Sequence, residues 1–133
     1  MTKIKTDKKK YYIEKAKINK DMEEIIDYIL GNPPTSFTME MAVAFEEAYV
    51  NIASYAYENN TGPIFIEIIK TPQTIQIILK DEGISYDPTK KELLPMADEF
   101  QIGGHGIRLM RNNSHVSYER KDNFNILTLT KNK

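Results

Sequence analysis

The hydrophobic pattern of the first half of the chain predicts one strand followed by two helices. Residues 11–18 have the mixed apolar pattern of a strand. The first helix is predicted from apolar residues that recur at helical spacing: Met22, Ile25, Ile26, Ile29 and Leu30. Asn19 or Asp21 precedes them as a cap. A proline-rich break at residues 31–35 separates this helix from a long one, which we expect from about residue 38 to 58.

The second half of the chain has the pattern of two hairpins on either side of a long loop. Alternating apolar residues predict strands at residues 64–70 and 74–80, joined by a connection short enough for a hairpin. The periodicity fails from residue 81 to 104, and a loop of that length tends to carry function. The remaining predicted elements are a short helix at residues 106–111 and a hairpin formed by residues 116–120 and 125–130.

This order of elements predicts an α+β fold, a two-layer sandwich whose mostly antiparallel sheet has its helices on one face. A chain of 133 residues with 41% hydrophobic and 28% charged residues fits one soluble domain and excludes full disorder. No apolar run approaches the roughly 18 residues of a membrane span, and the N-terminus lacks a signal-peptide pattern. We therefore expect a cytoplasmic protein with a single domain at residues 11–133.

Charge and cysteine content narrow the functional classes further. The formal net charge is −1, which gives no reason to expect nucleic-acid binding. Lysines crowd residues 1–10, which we interpret as a flexible basic tail, with a functional basic arm as the alternative. The absence of cysteine excludes disulfides and thiolate chemistry, and the spacing of His105 and His115 matches no usual zinc site. We expect no transition-metal site.

The long helix carries a narrow polar stripe on an otherwise apolar surface. On a helical wheel, Glu47 and Asn51 are one turn apart, so their side chains point to a common place. A carboxylate among apolar neighbours is costly unless a polar group meets it, which favours a bound ligand. The alternative is that the stripe is the solvent face and Glu47 is exposed. Glu46, next in sequence but rotated away, serves as the comparison.

Asp81 and Gly83 follow the second predicted strand directly. A carboxylate at a strand end can accept a hydrogen bond from an exocyclic amine such as that of adenine, and Gly83 would let a ligand approach the backbone closely. An ordinary turn explains the same residues, since Asp and Gly are both favoured in turns.

A second glycine-rich segment precedes the short third helix. Gly103, Gly104, His105 and Gly106 form a turn that opens this helix, an arrangement in which unpaired N–H groups and the helix dipole attract phosphate. The segment is neither a P-loop nor a dinucleotide-binding fingerprint, because it lacks the Gly-Lys-Ser/Thr ending and does not follow the first strand of a βαβ unit.

Taken in chain order, these motifs resemble the anti-sigma-factor serine/threonine-protein kinases, a family within the GHKL superfamily of ATP-binding domains. The resemblance covers about residues 38–131. It is carried by residues 47–51, 81–88, 103–107, 118–120 and 125–131. It implies the GHKL, or Bergerat, ATP-binding fold.

The resemblance also implies a role for each candidate site residue. Glu47 matches the glutamate that orients or deprotonates the attacking hydroxyl, and Asn51 matches the asparagine whose oxygen holds Mg²⁺ between the phosphates. Asp81 and Gly83 match the segment that reads adenine. The loop over the phosphates corresponds to Gly103, Gly104, His105 and Gly106.

The function implied by the resemblance is that of an anti-sigma factor with kinase activity. Such a protein transfers the γ-phosphoryl group of ATP to a STAS-domain anti-sigma antagonist, binds an RNA polymerase sigma factor and forms a homodimer. Two alternatives remain open from the residues alone: a non-catalytic GHKL nucleotide-binding module that regulates a protein partner, and an interaction scaffold whose nucleotide site has decayed.

Overall fold

The computed structural model describes residues 6–16, 20–57, 62–85, 87–89 and 104–133, and for residues 104–107 only the backbone. Within these ranges, a five-stranded antiparallel sheet has the spatial order β1-β2-β3-β5-β4. Its strands are β1 (Asp7–Ile13), β2 (Ile64–Lys70), β3 (Thr74–Asp81), β4 (His115–Lys121) and β5 (Phe124–Asn132). The helices are α1 (Lys20–Leu30), α2 (Ser36–Asn51) and α3 (Gly104–Asn113). This arrangement confirms the predicted α+β fold.

The first strand begins earlier than the sequence pattern predicts. We expected residues 11–18, but β1 covers Asp7–Ile13, so residues 7–10 of the predicted tail belong to the sheet. They pair with residues 67–70 of β2. Nζ of Lys8 lies 3.3 Å from the carboxylate of Glu67. Such a cross-strand ion pair stabilises the pairing of β1 with β2. Lysines on an edge strand also oppose pairing with another chain.

The two N-terminal helices begin and end at identifiable local signals. α1 ends at Leu30, and Gly31 follows it with φ of 71°, a left-handed conformation that glycine adopts without cost. Thr35 caps α2: its side chain accepts a hydrogen bond from the Thr38 N–H, and the Thr38 side chain accepts one from the Thr35 N–H. This reciprocal capping box fixes the start of the helix.

The long helix does not continue in α geometry to residue 58, as we expected. α2 ends at Asn51, and residues Ile52–Ala56 form a π-helical segment. Glu58 lies outside the described residues. The wheel used to define the polar stripe assumes a constant turn, so it holds for Glu47 and Asn51 but not for Ser54, which is exposed beyond the change of pitch. π-turns of this kind occur often at functional sites.

The central strands form the floor of the core. β2 and β3 agree with the predicted strands, with β3 one residue longer, and alternate residues of both are buried against the helices. Phe45 and Tyr49 of α2 are fully buried on the same side. The opposite face of the sheet has no helix over it among the described residues, and Tyr12 and Phe65 lie there with their ring centroids 4.8 Å apart.

The C-terminal hairpin is longer than predicted at both ends of each strand. Its two-residue turn consists of Asp122 and Asn123, both with positive φ, which matches the twist of a tight hairpin. β5 inserts between β3 and β4, so the last strand in sequence is a central strand of the sheet. Each helix in the described part of the chain is too short or too polar to span a lipid bilayer.

Candidate nucleotide-binding site

Asp81 is a buried carboxylate at the end of β3. Its exposed fraction is 3%, as expected for a residue at the inner-facing end of a central strand. Oδ1 accepts hydrogen bonds from the Gly83 N–H at 2.8 Å and from Nδ2 of Asn125 at 3.0 Å. Among the described residues, no partner faces Oδ2. The carboxylate therefore has one oxygen committed to the protein and one available to a ligand.

The environment of Asp81 acts on its ionisation in two directions. Burial raises the pKa of Asp81 above its usual value, because it removes water from the charged form. The hydrogen bonds from Asn125 and Gly83 and the positive charge of Arg120 lower the pKa and so favour the carboxylate. Perturbed acids of this kind are concentrated at functional sites.

The loop that follows Asp81, residues 82–85, is held by partners on both sides. The N–H of Ile84 donates to the carbonyl of Ala56 at 2.9 Å, and the N–H of Glu82 donates to the hydroxyl of Tyr57, also at 2.9 Å. Burial raises the pKa of Tyr57, which keeps this hydroxyl protonated, and it donates to the carbonyl of Pro63 at 2.5 Å. The 82–85 loop is thus fixed against the end of the helical layer.

Gly83 is required by a contact within the protein. A Cβ atom at this position would lie 2.2 Å from the carbonyl oxygen of Ala56, far inside contact distance. The structure shows that the glycine admits the backbone of the π-helical segment. This contact also sets how closely the 82–85 loop approaches the cavity described next, where we expected Gly83 to admit a ligand.

An apolar cavity opens beside this corner of the sheet. It lies between the end of α2, the π-helical segment, α3 and the last two strands. The residues that line it are Ala48, Asn51, Ile52, Tyr55, Ala56, Ile84, Pro88, Met110, Tyr118, Asn125 and Leu127. A mostly apolar lining with a few converging polar groups is typical of a site for a small ligand.

Asn51 is the polar residue of α2 that reaches this cavity. Its side-chain Nδ2 is buried and has no hydrogen-bond partner among the described residues. A buried amide without a partner is costly, so the group fits a site where the partner arrives with a ligand. Asn51 is the last residue of α2, directly before the change to π geometry.

Glu47 lies one helical turn before Asn51 and is half-buried, whereas Glu46 is exposed. This contrast agrees with the helical wheel and disfavours the interpretation of Glu47 as an exposed surface residue. The structure therefore puts Glu47 and Asn51 on the same side of α2, with Asn51 at the cavity wall.

The second glycine-rich segment is helical rather than a turn before the helix. Gly104, His105 and Gly106 belong to the first turn of α3, which begins two residues earlier than we expected. Gly103 lies outside the described residues. Met110 of the same helix lines the cavity, and the N-terminal turn of α3 lies one to two helical turns before it. N–H groups of a first turn have no helical acceptors, which suits phosphate.

Sequence reasoning gave no role to three residues that shape the site: Tyr118, Arg120 and Asn125. Asn125 is 5% exposed, and it bonds to Asp81, to the 82–85 loop and to both other residues. One signal was present in the sequence. Asn125 shares its strand face with Leu127 and Leu129, so it is a polar residue at an inward-facing position of an otherwise apolar alternation.

Comparison with known proteins adds evidence independent of this geometry. Residues 20–131 match the model of the histidine kinase-like ATPase domain. The chain is 38% identical over 99 residues to the serine/threonine-protein kinase BtrW of Bordetella bronchiseptica, an alignment that covers 71% of this chain and 68% of that protein. It is 31% identical over 80 residues to the serine-protein kinase RsbW of Bacillus licheniformis, over 53% of this chain and 50% of that protein.

Proposed function

The chain belongs to the family of histidine kinase-like ATPase domains, and we propose that it is an ATP-dependent serine/threonine-protein kinase. The observation that carries the proposal is the buried Asp81, whose Oδ1 is bonded to the protein while its Oδ2 has no partner among the described residues. A carboxylate so arranged beside a cavity with apolar walls, to which it is joined through Asn125, supports a site for a purine edge that donates a hydrogen bond. The two relatives named as protein kinases support phosphoryl transfer as the reaction.

In the proposed complex, adenine lies in the apolar cavity with its exocyclic amine directed at Oδ2 of Asp81. The amine donates and the ionised carboxylate accepts, a charge-assisted pair that is stronger than a neutral one. Guanine has a carbonyl oxygen at the same position, which the carboxylate would repel. The 82–85 loop, including Gly83, is bonded to Asp81 and to Ala56, and it would lie along the edge of the base.

The phosphates extend toward the first turn of α3, where Gly104, His105 and Gly106 offer backbone N–H groups. Gly103, which we assign to the same loop, lies outside the described residues. Glycines in this turn would let phosphate oxygens approach the backbone.

Asn51 is the proposed protein ligand of Mg²⁺. Magnesium prefers oxygen ligands and usually keeps waters, with one or two protein groups beside substrate phosphates. The Asn51 side chain supports this proposal, since it is a neutral amide at the cavity wall whose Oδ1 can coordinate the ion while Nδ2, unpartnered among the described residues, can donate to a phosphate oxygen. When bound, the ion would neutralise charge that develops on the phosphates.

Glu47 is the proposed catalytic residue. It would orient the hydroxyl of a serine or threonine on the partner protein and accept its proton. The hydroxyl oxygen forms a bond to the γ-phosphorus as the bond to the β–γ bridging oxygen breaks, so that ADP leaves. The half-buried position of Glu47, one turn from Asn51, supports this role.

The proposed partners are a STAS-domain anti-sigma antagonist, as the phosphoryl acceptor, and an RNA polymerase sigma factor, with the protein acting as a cytoplasmic homodimer. This part of the proposal rests on the family resemblance of the motifs. The exposed aromatic residues Tyr12 and Phe65, on the sheet face opposite the helices, support the homodimer, because exposed apolar patches are typical of protein contacts.

The test is a phosphoryl-transfer assay with ATP, Mg²⁺ and STAS proteins encoded beside this chain. Wild type should phosphorylate a partner, and Glu47→Gln should abolish transfer while ATP binding is retained. Glu46→Gln is the matched control, because it removes the same charge from the exposed neighbouring position. Tight ATP binding by wild type with no transfer to any partner would contradict the kinase proposal and favour a non-catalytic nucleotide-binding module.

A further inference from the structure

The side-chain amide of Asn125 is fully hydrogen-bonded, and its orientation is set by chemistry. Oδ1 accepts from the Tyr118 hydroxyl at 2.5 Å and from Nη1 of Arg120 at 3.0 Å. Nδ2 donates to Oδ1 of Asp81 at 3.0 Å and to the carbonyl of Ile84 at 2.7 Å. Because arginine can only donate and a carbonyl can only accept, the flipped amide would lose these bonds.

Arg120 connects this amide to the 82–85 loop. Its Nη1 also donates to the carbonyl of Gly83 at 2.7 Å, so one guanidinium holds both the loop and Asn125. Tyr118 also holds the loop. Its hydroxyl has one proton, which it donates to Asn125, so the Ser85 hydroxyl must be the donor in the 3.2 Å bond between Ser85 and Tyr118. The inward-facing side of β4 thus holds the loop at two places.

We propose that Arg120 is a positioning residue for purine recognition. With Tyr118 it fixes the Asn125 amide, which commits Oδ1 of Asp81 to the protein and leaves Oδ2 for the exocyclic amine of the base. This inference deepens the proposed function and rests on it, since it requires that Asp81 read a nucleobase. Arg120 itself need not touch the nucleotide.

The charge of Arg120 gives the proposal a second observable. The ionisable and charged groups around Asp81 are Tyr57 from the end of the helical layer, Glu82 from the loop, and Tyr118 and Arg120 from β4. Of these, the Arg120 guanidinium lowers the pKa of Asp81 against the effect of burial. Without that charge, Asp81 would take up a proton at a higher pH and then could no longer accept from the amine as a carboxylate.

The experiment measures ATP and GTP affinity by calorimetry across a pH series for wild type, Arg120→Gln and Arg120→Lys. Arg120→Gln should weaken ATP binding about tenfold, the size expected for loss of a charged hydrogen bond. It should also lower the preference for ATP over GTP. The acid limb of ATP binding, which is the pH range over which the affinity falls on acidification, should move to higher pH. Arg120→Lys keeps the charge and should restore the acid limb.

Lys121→Gln is the matched control. It removes the same charge from the next residue of β4, which is exposed on the opposite face of the sheet. This variant should bind ATP as wild type does, with an unchanged acid limb. An equal shift of the acid limb in Lys121→Gln would show that only net charge matters and would overturn the role of Arg120.

The remaining outcomes separate the inference from the function on which it rests. If wild type binds ATP and Arg120→Gln binds it equally well, the inference fails and the proposed function stands. If Arg120→Gln weakens ATP and GTP binding equally with no change in the pH profile, the residue is merely structural and the inference fails. If wild type binds no ATP, the proposed function fails and the inference with it.

Tyr118→Phe keeps the test decisive if Arg120→Gln does not fold. It removes one hydroxyl from the same amide and leaves the ring packed. We expect about threefold to tenfold weaker ATP binding with a reduced ATP-over-GTP preference, on the scale of one hydrogen bond. Unchanged binding and unchanged preference in this variant would overturn the inference.

Discussion

Nδ2 of Asn125 donates a hydrogen bond to Oδ1 of Asp81 across 3.0 Å, although 44 residues separate the two in the chain. They lie directly opposite each other where β3 pairs with β5. The register of these strands therefore brings together the acid and the amide that orients it. A one-residue slip would move Asn125 to the uncovered face of the sheet, so the geometry of the site depends on the correct pairing of central strands.

Asp81→Asn should weaken ATP binding without destabilising the fold. The new amide would present a donor where the adenine amine also donates, so we expect a loss of about 1.5–3 kcal/mol in ATP binding, or roughly 10-fold to 150-fold. The fold should tolerate the change, because the amide oxygen can still accept from Gly83 and Asn125. Calorimetric titration with ATP measures the first effect, and Glu82→Gln, which changes the exposed neighbour, is the control.

The same substitution has a predicted pH signature in the free energy of unfolding. The raised pKa of Asp81 means that the folded state holds this proton more tightly than the unfolded state. Its contribution is complete below the ordinary value of 3.8 and is lost as pH rises through the raised folded-state pKa. Relative to wild type, Asp81→Asn should therefore gain stability in urea unfolding as pH rises from 3.8 through the raised folded-state pKa of Asp81. A constant difference across that window would contradict the prediction.

Asn51 and Asn125 should respond in opposite ways to replacement by leucine. Nδ2 of Asn51 is buried without a partner among the described residues, so Asn51→Leu should leave the free energy of unfolding unchanged or raise it by about 1 kcal/mol. Asn125→Leu breaks a fully bonded network and leaves the buried Asp81 carboxylate with the Gly83 N–H but without its side-chain donor, which should cost about 3 kcal/mol or more. Urea unfolding of both variants at one pH compares them directly.

Asn51→Leu should also lose the Mg²⁺ dependence of ATP binding, because leucine has no oxygen for the ion. Wild type and Asn51→Leu are titrated with ATP in the presence of Mg²⁺ and of a chelator. Binding that still improves with Mg²⁺ in the variant would exclude Asn51 as the ligand.

Gly83→Ala tests the close contact behind the 82–85 loop. The added methyl group would meet the carbonyl of Ala56 at 2.2 Å, so the loop or the π-helical segment must shift. We expect a loss of about 1–3 kcal/mol in unfolding free energy, typical of overpacking, together with weaker ATP binding. Glu82→Ala, at an exposed position of the same loop whose bond to Tyr57 uses only the backbone N–H, is the control. Wild-type stability in Gly83→Ala would show that the contact relaxes without cost.

Tyr57→Phe should weaken the hold on the same loop from its other end. The hydroxyl accepts from the Glu82 N–H and donates to Pro63, so its loss should cost about 1–2 kcal/mol of unfolding free energy. Burial raises the pKa of Tyr57, so wild type should also lose stability as pH rises from 10.0 through the folded-state pKa, and the Phe variant should lack that component. Tyr55→Phe, an exposed neighbour, should show neither effect in urea unfolding.

The central strands and the position of Asp81 at a strand end could be predicted from the sequence, because each has a local signal. β2 and β3 are isoleucine-rich runs in which alternate residues are buried, and Asp81 ends the second run with a carboxylate. The capping of α2 and the tight turn at Asp122 and Asn123 likewise depend on neighbours in sequence.

Other features depend on distant contacts, and sequence periodicity could not supply them. The π-helical geometry of Ile52–Ala56 accompanies its contact with the 82–85 loop, which is remote in sequence. The start of β1 at Asp7 depends on cross-strand pairing with β2. Arg120 belongs to the motif at residues 118–120, but its contact with Gly83 requires β4 to lie beside the 82–85 loop, which the sequence pattern does not indicate.

The insertion of β5 between β3 and β4 has a consequence for synthesis on the ribosome. Asp81 is made before its amide partner, and the strand that carries Asn125 emerges after β1 to β4, when the C-terminal hairpin joins a sheet edge that has until then been open. The pairing of Asp81 with Asn125 is therefore completed only after β5 has left the exit tunnel. A nascent chain arrested before Phe124 would expose the edge of β3 to other chains and would lack the amide that orients Asp81.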